Sequence, residues 1–188
     1  MIKLATKALR DALAATFTDL KGIYNNWPGP EIQERYPYMV VFMHRANVER
    51  LQYNLLTTLT DNSKLYGTGY WNVDLDVNYL SQEGSLEDQA DVVDKMSDFF
   101  NINLTGGKMI ESEASRDIEY DIQNYTAKAN VRLVDIALDQ RGPDLQPGDR
   151  RSIFTLNMFA PRLKIETPGV WTKVVLDPHI SEKEKISS

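Results

Sequence analysis

The chain has 188 residues, a formal charge of −6 at pH 7 and no cysteine. Its length suits one domain that buries roughly 70% of its unfolded surface without a metal or disulfide staple. The missing cysteines exclude disulfides, thiolate zinc sites and cysteine nucleophiles, and the acidic balance disfavours nonspecific binding to nucleic acid, which needs clustered lysine and arginine.

Residues 2 to about 21 carry Ala5, Leu9, Leu13, Phe17 and Leu20 at three- and four-residue steps, the pattern of an amphipathic helix that Gly22 would end. Met1 to Lys7 has spaced lysines without the apolar core of a secretory leader, and no apolar run is long enough to span a membrane. Asn25 to Pro30 predicts a rigid turn, because each proline fixes its own φ and biases its predecessor away from the helical region. Tyr38 to Met43 is an unbroken apolar run of strand length, expected to be buried on both faces. Val48 to Leu59 fits either helix or strand, and its threonines and Tyr53 favour strand.

After a turn at Asp61 to Ser63 and an irregular point between Gly67 and Gly69, Trp71 to Tyr79 alternates without a break. Trp71, Val73, Leu75, Val77 and Tyr79 are expected to face a core, and Asn72, Asp74, Asp76 and Asn78 to face water. Ser85 then caps a predicted helix, with Glu87, Asp88 and Asp91 at the positive end of its dipole. Its inward stripe is read as Leu86, Ala90, Val93, Ser97 and Phe100, widened by Met96 and Phe99, and Thr105 to Gly107 closes it. Ile118 to Tyr125 and Ala129 to Leu138 form a predicted antiparallel pair turning near Thr126 to Lys128, and Asp117 to Ile122 repeats the arrangement of acids opposite apolar residues. Gln140 to Asp149 reads as a linker. Ser152 to Phe159 and Val170 to Leu176 are candidate strands beyond it, and Ser181 to Ser188 is a solvated tail.

Helix, strands, helix, strands describes an α+β fold: a mixed or antiparallel sheet packed with two main helices, plus a carboxy-terminal β extension. The expected division is a core of residues 1–138 and a linker with an extension, 139–188, whose strands either fold back as a hairpin or pair with a neighbouring sheet edge.

Chemistry is sparse. His44 and His179 are the two histidines: His44, at the end of the apolar strand, reads as a strand-end polar residue, and His179, close to the tail, as no ligand without a further His or Cys partner. Asp74 and Asp76, completed by Glu119 or Asp121, form an oxygen set for a hard cation, although no calcium-loop spacing accompanies them. Gly67-Thr68-Gly69 is a fragment of a dinucleotide fingerprint in the wrong context, before a strand. No catalytic residue, cofactor site or metal site is assigned.

The amino-terminal helix, the Tyr36-Pro37-Tyr38 entry into an apolar strand, the Trp71 to Tyr79 strand and the helix from Ser85 to Phe100 together resemble the tail terminator and neck completion proteins of tailed bacteriophages, over residues 1–138. The resemblance implies a virion structural protein, made in the host cytoplasm. It would form a ring, a hexamer in that family, on the head-proximal end of the tail tube, ending tube growth and joining tail to head. Its partners would be the tail tube protein and head connector or neck proteins, with no membrane and no catalysis. DNA would pass through the lumen without specific binding. In that setting Asp74, Asp76, Glu119 and Asp121 are candidate lumen-facing acids, since a lumen should repel phosphate. Arg141, Arg150, Arg151, Phe154 and Trp171 are candidate residues of a subunit or partner interface. Another neck, tail or baseplate structural protein is the neighbouring reading, and a small cation-binding α+β enzyme using the acidic strand face is the rival of a different class.

Overall fold

The computed structural model describes residues 2–27, 36–82, 86–100, 114–138 and 149–167. Its elements are α1 (Ile2–Thr16), β1 (Ile23–Tyr24), β2 (Tyr38–Glu49), β3 (Asn54–Thr58), β4 (Lys64–Gln82), α2 (Leu86–Phe99), β5 (Ser115–Ile122), β6 (Tyr125–Ala137) and β7 (Asp149–Glu166). The seven strands make one sheet in the order β1-β2-β4-β7-β6-β5, with β3 continuing the line of β2 along β4. Only the short β1–β2 pairing is parallel. The fold is therefore α+β with a mixed sheet and two described helices, as the element order predicts.

The alternation in β4 does what its period demands. Val73, Leu75 and Val77 are fully buried and Tyr79 nearly so, opposite Met158, Leu156 and Phe154 of β7. Ala129, Val131 and Leu133 of β6 and Ile118, Tyr120 and Ile122 of β5 extend this apolar face. α1 lies across it with Ala5, Leu9 and Leu13 inward, and Phe17 follows against Tyr79. Each leucine so buried contributes about 1.5–3 kcal/mol. The helix stops at Thr16, short of the expected end at Gly22. Thr16 turns its hydroxyl back to the Ala12 carbonyl, and the β-branched and aromatic run Thr16-Phe17-Thr18 weakens further helix while Phe17 reaches inward.

α2 buries Val92, Met96, Phe99 and Phe100, together with Gln89 and Ser97, whereas Ala90, expected inside, is exposed. The inward stripe is thus rotated about the axis toward Gln89 and Val92. Arg116 of β5 donates to the Phe99 carbonyl at 3.0 Å and packs on its ring, placing a cation at the carboxyl end of the helix. The expected cap at Ser85 and closure at Thr105 to Gly107 lie outside the described residues.

Two local expectations shift. The β5–β6 hairpin turns at Gln123 and Asn124, both at positive φ (44° and 69°), three residues before the predicted turn. This two-residue geometry carries the twist of the flanking strands. β2 is buried on both faces only from Tyr38 to Val41, where Tyr38 and Val40 form a small second cluster with Leu80, Tyr24 and Tyr36.

The largest correction concerns the carboxy-terminal region. Asp149–Glu166 is not an arm beyond a core: it is β7, seated between β4 and β6 and in register with β4 along nearly its whole length. Phe154, expected at an interface, is fully buried in the chain's own core. Val170 to Leu176, Trp171, Arg141 and His179 lie outside the described residues.

Candidate functional site

With α1 and α2 on one face of the sheet, its opposite face is lined by the polar residues of the alternating strands. Ladder partners share a face, so Arg45, Asn47 and Glu49 of β2 lie with Asp74, Asn72 and Tyr70 of β4, and these with Asn157, Phe159 and Pro161 of β7. The side chains cross-link the three strands. Asn157 donates to Asn72 at 2.6 Å and Asp74 at 2.9 Å, and Asn72 donates to Glu49 at 2.6 Å. Asp76 accepts from Thr155 at 3.0 Å and meets His44 Nε2 at 2.6 Å. His44 is the extra residue of a bulge between Met43 and Arg45, which explains how its ring reaches Asp76 from within a strand.

Asn78, expected to face water, is buried, because Arg151 of β7 closes over it. Arg151 Nε donates to Asn78 at 2.8 Å while its guanidinium rests 4.8 Å from the Trp27 ring centroid. Arg151, a candidate interface residue, thus makes contacts within its own chain. Arg150 is half-buried on the adjacent position of β7.

On β5, Asp117, Glu119 and Asp121 are exposed on the same face, opposite α1 and α2. Asp117 accepts from Asn130 at 2.9 Å, Asp121 from Thr126 at 2.8 Å, and Glu119 pairs with Lys128 at 2.8 Å. That bond and the carboxylate's charge raise the Lys128 pKa. The four candidate acids thus share a face but do not converge. β7 and β6 separate β4 from β5, a span of about 14 Å at ordinary strand spacing. Among the described residues no group of three His, Asp or Glu side chains could hold a metal ion.

β6 pairs with β7 only as far as Asn130 opposite Phe159, and Pro161, without an amide, prolongs the gap. The groove so opened is lined by Tyr70, Tyr125, Thr126, Lys128 and Pro161. Lys128, which lines it, is paired with Glu119.

A second feature lies along the β2–β3 edge. Among the described residues eleven large apolar side chains are exposed, and seven (Phe42, Met43, Val48, Leu51, Tyr53, Leu55 and Leu56) fall between residues 42 and 56. The register puts Phe42 on the face of Asp76 and Met43 and Val48 on the face of Leu75 and Trp71, so these residues line the edge on both of its sides. The segment steps outward between β2 and β3 because Gly69 of β4, at φ +121°, passes against the Arg50 backbone, and a Cβ there would lie 2.6 Å from the Arg50 carbonyl oxygen. Tyr53 anchors it by stacking on Tyr66 and bonding to Glu166. The Glu166 carboxyl is held below its usual range, first by Lys164 and then by Tyr53, and the Tyr53 phenol is raised in turn by its bond to Glu166. The sequence signalled a strand here, but exposure depends on what packs beside it. An apolar run alone cannot distinguish a central strand from an edge.

No family model and no curated protein matches the sequence. Among the described residues, no helix is long and apolar enough to cross a membrane.

Proposed function

We propose that this chain is a phage virion structural protein that forms a ring at the head-proximal end of the tail tube, ending tube growth and offering the surface to which the head joins. The observation that carries the reading is the apolar strip along β2 and β3, which suits contact with protein better than chemistry on a small molecule. The face opposite α1 and α2 adds support: Asp74, Asp76, Glu119 and Asp121 all lie on it, so a ring with those helices outward would present them to its lumen and repel DNA phosphate. The rival reading, a cation site built from those acids, requires a convergence that the strand order does not give.

The test is negative-stain electron microscopy of the purified protein alone and mixed with tail tubes, with mass from light scattering. Rings of one size, or caps at one tube end, are expected. A monomer that ignores tubes would overturn the reading.

A further inference from the structure

The sheet ends in two unlike edges. On one side β1 covers β2 only at Met39 and Val40, so Val41 to Glu49 has no outer ladder partner among the described residues. On the other side β5, eight residues long, has none beyond β6 among the described residues. Unpaired edges of this length offer their backbone donors and acceptors to another strand. From this pair of edges we infer that the ring closes by parallel pairing of β2 of one copy with β5 of the next, which makes the sheet continuous around the assembly. The inference rests on the ring reading above and names its contact.

Direction argues for it. Four successive antiparallel pairings, β2 with β4, β4 with β7, β7 with β6 and β6 with β5, leave β2 and β5 pointing the same way. A copy rotated about an axis along the strands therefore lays its β5 beside β2 of its neighbour in parallel, a head-to-tail contact that propagates until it closes. Two-fold contacts would instead pair β2 with β2 or β5 with β5.

Side chains argue the same way, because a continued sheet keeps its faces. On the face opposite α1 and α2, β2 shows exposed His44 and Arg45, and β5 shows exposed Asp117, Glu119 and Asp121. β5 against β5 would set these three acids against themselves, whereas β2 sets Arg45 among them. On the other face, exposed Met43 and Val48 would continue the row of Ile118, Tyr120 and Ile122.

The absence of native cysteine makes the test clean. With Arg45 opposite Glu119, Asn47 falls opposite Asp121, so the variant carrying both Asn47→Cys and Asp121→Cys should give a reductant-sensitive ladder of covalent oligomers on mild oxidation, with or without tail tubes. Each single variant should give no such ladder, and all should keep the wild-type melting curve. Arg45→Glu in the double-cysteine background should cut cross-linking roughly tenfold, and adding Glu119→Lys should restore it. Covalent dimers from Asn47→Cys alone would overturn the inference in favour of a two-fold contact. Rings seen by microscopy without β2–β5 cross-links would overturn it while the ring reading stands. A ladder from open chains that never close or cap tubes would uphold the contact and sink the terminator reading, and monomers throughout would sink both.

Discussion

The β4–β7 pair and the β2–β3 edge are both apolar strand segments, yet they meet opposite fates. Along β4 and β7, Leu75, Val77, Phe154 and Leu156 are fully buried between neighbouring strands and beneath the helices. Along β2 and β3, Phe42, Val48, Leu55 and Leu56 are between about a third and a half exposed. Apolar content is alike in the two, so position in the sheet separates a residue buried in the core from one left exposed at an edge.

The sharpest way to test that contrast is to truncate both regions. Phe154→Ala should cost about 3–5 kcal/mol, since it leaves a cavity in a closed core, read from denaturant unfolding. A loss below 1 kcal/mol would mean that β7 is not the central strand described here.

Alkaline titration probes the core face next. Burial, aided by Asp19 and Asp88, pushes the Tyr79 phenol up to about 12, and burial pushes Tyr120 to about 12, from 10.0. Raised folded values favour the neutral phenols. Their contribution is complete below pH 10 and is lost as pH rises toward 12, amounting to about 1–3 kcal/mol each at the limit. Ultraviolet titration of native protein should show Tyr79 and Tyr120 ionising late, with Tyr53 also raised by its bond to Glu166, and all three moving to ordinary values in denaturant; coincident native and denatured curves would refute this.

Gly69→Ala examines the hinge between the two regions. A side chain at positive φ against the Arg50 carbonyl should cost about 1–3 kcal/mol in thermal or chemical unfolding. Were the variant as stable as the parent, the close passage of β4 and the outgoing loop would be wrong.

The smallest stability effect belongs to the edge. Leu55→Ser with Leu56→Ser should alter unfolding by no more than about 0.5 kcal/mol each, while abolishing rings or tube caps in micrographs. A large loss of stability with intact assembly would reverse the comparison.

Much of this molecule was legible from its residues. Period 2 along Trp71 to Tyr79 and Asp117 to Ile122, and the three- and four-residue steps of α1, follow from backbone geometry that every strand and helix obeys, so element type and inward face could be read directly. The four acids were correctly placed on strand faces opposite the core for the same reason. What tertiary structure decided is neighbourhood. Sequence marked Ser152 to Phe159 as a strand but gave no means of telling that it enters between β4 and β6, because strand order depends on long-range burial. The same ignorance put Phe154 at an interface, and left Asn78 in water until Arg151 and Trp27 closed over it. Alternation dictates which way a side chain points. Which strand lies beside it, and so whether that side chain meets core, partner or solvent, is settled only when the whole sheet has formed.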